Sequence, residues 1–237
     1  MSVATGDIDG DGRIDIVAGG VSGNEIIVFN DDGTLKWRRG GLETNFWGAP
    51  AIANLRGDGQ AEIVIGRQVL DAAGNLLWSG AGDRGNQGST GPLSIVSDID
   101  LDGTPEIIAG RTIYNGAAGG IERMGGIGDG YNAVADFIGD QRAEVVLVSN
   151  GQVQLLDANM AVIWSASIPG GGAGGPPTVA DFDNDGQVEI GVAGAGQYVV
   201  FETNGAVKWT RAIQDFSSNR TGSSVFDFEG DGAAEVV

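Results

Sequence analysis

One nine-residue pattern, written six times, constrains this chain more than any other feature. DIDGDGRID begins at Asp7, NLRGDGQAE at Asn54, DIDLDGTPE at Asp98, DFIGDQRAE at Asp136, DFDNDGQVE at Asp181 and DFEGDGAAE at Asp227. Successive starts lie 47, 44, 38, 45 and 46 residues apart. A period of this length is the signature of a repeat architecture in which each repeat is one supersecondary unit. The triplet Arg56-Gly57-Asp58 belongs to the series, because Asp58 fills the slot of Asp11, Asp102, Asp140, Asp185 and Asp231. That membership explains the triplet without a displayed adhesion loop, and a three-residue match alone is weak.

Each repeat predicts four short strands. In the fifth, TVADF runs into the nonapeptide, VEIGVA and QYVVFE follow, Thr203-Asn204-Gly205 marks a turn, and AVKWT closes the unit. The first repeat gives IDIVAG, EIIVFN, Asp32-Gly33 and TLKWR, and the fourth AEVVLVS, VQLLDA and AVIWS. Four strands per 40 to 45 residues is the arithmetic of a β-propeller blade. The predicted fold is all-β: four-stranded antiparallel blades, five full repeats and a half. Residues 1–237 form a single propeller domain or part of one, with repeats starting near 2, 49, 93, 131, 177 and 223. The third unit reads NGAAGGIERMGGIGDG after Tyr114 and lacks a Trp, so its outer strand is expected to be poor or missing. Trp37, Trp78, Trp164 and Trp209 fall on fourth strands and read as packing between blades. Trp47, in NFWGAP, is the better candidate for an exposed contact, although burial is the leading expectation for it too.

Composition narrows the chemistry. The chain has no Cys and no His, which removes thiolate metal sites, the commonest zinc ligand and the usual general base. Its formal charge is −19, and 21 of its 32 acids lie inside the six nonapeptides. Carboxylates so crowded repel one another unless a cation sits among them. Thirteen scattered Lys and Arg make no basic stripe, so nucleic acid is an improbable partner. No apolar run reaches membrane-spanning length, so no insertion is expected, and no signal segment opens the chain.

Within DIDGDGRID, Asp7, Asp9 and Asp11 at positions 1, 3 and 5 can converge on one centre, while Gly10 and Gly12 permit the turn. The Arg13 carbonyl at position 7 and Asp15 at position 9 complete an all-oxygen set that suits calcium. The corresponding sets are Asp98, Asp100, Asp102, Thr104 and Glu106; Asp181, Asp183, Asp185, Gln187 and Glu189; and Asp227, Glu229, Asp231, Ala233 and Glu235. About four Ca2+ sites are therefore expected. The Asp136 loop has Ile138 at position 3 and is expected to be empty or weak. The Asn54 loop has Arg56 there, whose guanidinium can pair with Asp58 and Glu62 in place of an ion. An EF-hand is excluded, because position 12 is Ala18, Ala109 or Val192 and strands flank the loops.

The D-x-D-x-D-G-x-x-(D/E) loop between blade strands, preceded by segments such as NFWGAP and GGPPT, resembles the FG-GAP repeats of integrin α-chain propellers and the bacterial FG-GAP/VCBS family. The resemblance covers nearly the whole chain. It implies a calcium-stabilised propeller on an extracellular or cell-surface protein, with calcium structural and a protein or carbohydrate as partner. Propellers of this family commonly have seven blades; the chain stops at AAEVV, halfway through a blade, and reads as part of a longer propeller or as an unusually closed ring of six. Open ends would favour homo-oligomers. The leading expectation is a non-catalytic binding or adhesion scaffold with no catalytic residues. The alternatives are a substrate-binding or catalytic propeller of a calcium-dependent polysaccharide lyase, with Lys36, Lys208 or a Tyr as base, and a self-assembling structural unit.

Overall fold

The computed structural model describes residues 2–21, 23–45 and 47–237. It divides into two compact units, Met1–Met124 and Gly125–Val237. Each is built from antiparallel sheets whose strands pair in chain order. In the first unit, sheet one comprises β1 (Val3–Gly6), β2 (Asp15–Gly19), β3 (Glu25–Phe29) and β4 (Leu35–Gly40). Sheet two comprises β5 (Ala51–Ala53), β6 (Glu62–Ile65), β7 (Gln68–Leu70) and β8 (Leu76–Ser79). Sheet three comprises β9 (Ile95–Ser97), β10 (Glu106–Ala109), β11 (Thr112–Asn115) and β12 (Ile121–Met124). In the second unit, sheet four comprises β13 (Tyr131–Ala135), β14 (Glu144–Ser149), β15 (Gln152–Leu156) and β16 (Val162–Ser167). Sheet five comprises β17 (Thr178–Ala180), β18 (Glu189–Ala193), β19 (Gln197–Phe201) and β20 (Val207–Ala212). The partial repeat supplies a two-stranded sheet, β21 (Val225–Phe226) and β22 (Glu235–Val236). Among the described residues there is no helix long and apolar enough to cross a membrane.

The fourth strand of the third repeat, expected to be poor or missing, is formed. β12 pairs with β11 from Thr112↔Met124 to Tyr114↔Ile121. Gly119, at φ 74°, makes the connecting turn that a residue with a Cβ would resist. A tryptophan is not required, because the ladder hydrogen bonds and the turn specify the strand.

In sheets two to five the second and third strands are buried almost throughout, both faces being covered, whereas in β2 and β3 of sheet one buried and half-buried residues alternate. Within the first unit, Val17, Ile26 and Val28 meet Ile63, Ile65 and Leu70 of the next sheet, and Val64 and Val69 meet Ile107, Ala109 and Tyr114. Within the second unit, Val146, Val148, Val153 and Leu155 meet Ile190, Val192, Val199 and Phe201. First strands of successive sheets lie side by side, β1 by β5, β5 by β9, β13 by β17 and β17 by β21.

The fourth-strand tryptophans join neighbouring sheets. Trp37 donates its indole N–H to the Ala72 carbonyl at 2.8 Å, and Trp164 does the same to Thr203. A Cβ at Gly74, Gly119 or Gly205 would fall 3.0 Å or less from the ring of Trp37, Trp78 or Trp164, so each indole lies on the turn glycine of the following sheet. Trp209 packs instead with Tyr198 and Phe182, at centroid distances of 5.9 and 6.0 Å. Trp47, for which burial was the leading expectation, is instead 68% exposed, and Phe46 of the NFWGAP segment lies outside the described residues.

Candidate metal centre

Every nonapeptide joins the first and second strands of its sheet, and all six share one hydrogen-bonded frame. The position 9 carboxylate accepts the backbone N–H of position 2, with Asp15 bonding Ile8 (3.3 Å), Glu62 Leu55 (2.8 Å) and Glu106 Ile99 (3.0 Å). Glu144 bonds Phe137 (2.8 Å), Glu189 Phe182 (2.8 Å) and Glu235 Phe228 (2.9 Å). The position 5 carboxylate accepts the N–H of position 7: Arg13, Gln60, Thr104, Arg142, Gln187 and Ala233 each donate to it at 2.7 to 3.0 Å. The position 1 aspartate gathers further amides; Asp7, for example, accepts from Gly10, Asp11 and Gly12.

Positions 4 and 6 have positive φ in all six loops. Glycine fills most of these places, but Leu101 (62°), Gln141 (73°) and Asn184 (59°) adopt the same conformation. A leucine or glutamine there carries a steric cost of about 1–2 kcal/mol. The frame is conserved even where the residue type opposes it.

Three loops also bring carboxylates together. The oxygens of Asp7, Asp9 and Asp15, of Asp98, Asp100 and Glu106, and of Asp181, Asp183, Asp185 and Glu189 form groups within 4.8 Å. Among the described residues Asp11 and Asp102 stand outside their groups, and Asp227, Glu229, Asp231 and Glu235 form none. The three groups fit a hard divalent cation, because every donor is a carboxylate oxygen.

The loops also hold cationic side chains that residue spacing did not identify as their partners. The Lys36 ammonium lies 2.6 Å from Asp9 and 2.8 Å from Asp15. Lys208 lies 2.5 Å from Asp183, 3.4 Å from Glu189 and 3.1 Å from Glu202. Arg123 lies 2.5 Å from Asp100. Arg56 pairs with Glu62 at 2.8 Å and Asp58 at 3.5 Å, the pairing read from the sequence, so the Arg56-Gly57-Asp58 triplet is folded into its own loop. The one advance signal was Lys before Trp in both LKW and VKW, which was weighed as a catalytic position.

Electrostatics follow from these partners. The hydrogen bond from Lys36 lowers the Asp9 pKa. Burial works against the charge on Lys36 and Lys208, but the hydrogen bonds they donate to Asp15 and Asp9, and to Asp183 and Glu202, outweigh it and raise both lysines. Glu106 has no such ammonium partner; burial, reinforced by Asp100 and Glu122, pushes it up to about 7 despite the Ile99 amide.

Four-stranded antiparallel sheets, each with an acid loop between its first two strands and recurring every 38 to 47 residues, define a repeat protein with propeller-type blades. The model of the FG-GAP-like repeat matches residues 7–65 and 136–192, so the chain carries FG-GAP-like repeats. Among solved structures, the V. cholerae biofilm matrix protein Bap1 superposes with a TM-score of 0.79 at 17% identity, over 99% of this chain and 65% of that one. Rhamnogalacturonan lyase YesW gives 0.54 at 16% identity over 100% of this chain and 64% of that one. The Dos1 propeller gives 0.56 at 11% identity over 86% and 56%. The chain thus spans less than two thirds of each of these three, and at such identities the likeness is one of fold. The search of curated proteins found no match.

Proposed function

We propose that this chain is a calcium-stabilised, extracellular, non-catalytic binding or adhesion scaffold. The observation that carries the reading is the grouping of three or four carboxylate oxygens within 4.8 Å in the loops at Asp7, Asp98 and Asp181. Calcium would be held there by Asp7, Asp9 and Asp15, by Asp98, Asp100 and Glu106, and by Asp181, Asp183, Asp185 and Glu189. The ion would supply positive charge and tie the start of the second strand to the turn before it. The Asp227 loop is a weaker candidate, since its acids form no such group.

A lysine held protonated by two or three carboxylates is a poor proton acceptor at neutral pH. The ion pairs of Lys36 and Lys208 therefore favour the non-catalytic reading over a lyase with either as base. The superposition with Bap1, named as a biofilm matrix protein, is in keeping with an extracellular setting for this chain. The partner is proposed to be a protein or a carbohydrate. A second copy of the chain is the variant favoured by an apolar groove of about 690 Å3, lined by Tyr198, Trp209, Ile213 and Val236, and the mass in solution separates the two.

Calorimetric titration with Ca2+ tests the metal reading. The expected result is uptake at the three grouped loops, reduced by one site in Asp183→Asn. Absence of any heat, or identical stoichiometry in that variant, would refute it.

A further inference from the structure

A bulge interrupts the ladder between third and fourth strands at the same place in all five complete sheets. It leaves one fourth-strand residue out of register: Lys36, Leu77, Glu122, Ile163 or Lys208. Bulges of this kind re-aim a side chain beside a functional site. In sheets one and five the side chain is a lysine, and its ammonium lies on the position 3 and position 9 carboxylates of the acid loop. In sheet three Glu122 takes the bulge, and Arg123, one residue on, reaches Asp100.

The other two sheets form a contrast within the same chain. Their bulge residues, Leu77 and Ile163, carry no charge, and neither loop has an acid at position 3. One has Arg56, already seated on Glu62, and the other Ile138. An acid at position 3 and a cation on the fourth strand therefore occur together in three sheets and are missing together in two.

We propose that Lys36, Arg123 and Lys208 are built-in competitors of the divalent cation, each holding carboxylates that would ligate the metal and having to withdraw before it enters. These three side chains then set the metal affinity of their loops. The inference rests on reading the loops as cation sites. A binding-competent state that is only fractionally populated weakens the apparent affinity by that fraction, so removal of the competitor tightens binding. Glu202 already holds Lys208 at 3.1 Å, closer than Glu122 holds Arg123 in sheet three at 3.9 Å, and keeps the ammonium neutralised as it leaves Asp183 and Glu189; on this proposal sheet five has the tightest of the three loops.

The test is a calorimetric Ca2+ titration of the wild type, Lys36→Leu and Lys208→Leu, with Arg38→Leu as control. Leucine is the residue that sheet two carries at the bulge, and Lys36→Gln serves if the leucine variant does not fold. Arg38 lies two residues from Lys36, pairs with Glu25 at 3.5 Å, and removes the same charge without touching the loop. Lys36→Leu is expected to tighten one site by roughly tenfold or more, and Arg38→Leu to change it less than about twofold. Unchanged or weaker binding in both lysine variants, or equal tightening in Arg38→Leu, would overturn it and leave the loops as cation sites. No binding in wild type or variants would remove the cation reading itself, and the competition with it.

Discussion

Withdrawing calcium from the folded protein with a chelator is expected to lower its Tm by about 10 °C or more. A ligand that binds only the folded state stabilises it by about 2.7 kcal/mol when present at 100 times its Kd. In a chain of this length each kcal/mol moves Tm by roughly 2–4 °C. Three occupied loops make the effect large, and magnesium at equal concentration is expected to restore less of it, because crowded carboxylates suit a larger, more flexible coordination shell. The mechanism is local: Asp7, Asp98 and Asp181 already bind the amides of their own turns, so the ion adds a tie between the turn and the buried acid at position 9. An unchanged melt, recorded by circular dichroism with and without chelator, would refute a structural role for calcium.

The second large effect concerns the frame without the metal. Glu144 is buried, lies in a loop with no grouped carboxylates, and accepts two amides, Phe137 at 2.8 Å and Ile138 at 3.2 Å. Glu144→Ala would leave both N–H groups without this acceptor at a cost of about 1–3 kcal/mol each. Urea unfolding should show a loss of about 2–4 kcal/mol. Glu144→Gln keeps an acceptor oxygen and should lose less than half of that, since burial already works against the charge on this carboxyl. Equal losses in the two variants would mean that charge, and not the paired hydrogen bonds, holds the loop.

The two results together separate what was legible in the sequence from what was not. The strand order, the hairpin position of each nonapeptide and the blade-to-blade role of Trp37 and Trp164 could be read in advance, because they follow from the repeat period and from residue type. Pairing of Arg56 with Glu62 was legible for the same reason, since both residues lie in one loop. The fourth strand of the third repeat was missed because its absent Trp was taken as a sign of strand strength. That strand is held by a ladder and by Gly119, for which one Trp more or less is no measure. Lys36 and Lys208 could be named from the sequence only as candidate bases and not placed on the acids, because a bulge has no marker in the residue pattern. The acids at positions 1 and 5 were read purely as ligands, yet they also cap the turn's own amides. Spacing could not reveal that division, since each carboxylate has two oxygens and only coordinates show where both are used.

The most direct measurement is an anomalous difference map from crystals grown with Ca2+ and, in parallel, with Tb3+. Peaks are predicted at the Asp181, Asp98 and Asp7 loops, strongest at Asp181, with Lys208 moved from Asp183 towards Glu202 and no peak at Asn54 or Asp136. A map featureless at all three grouped loops, with Lys36 and Lys208 still seated on their acids, would contradict the account.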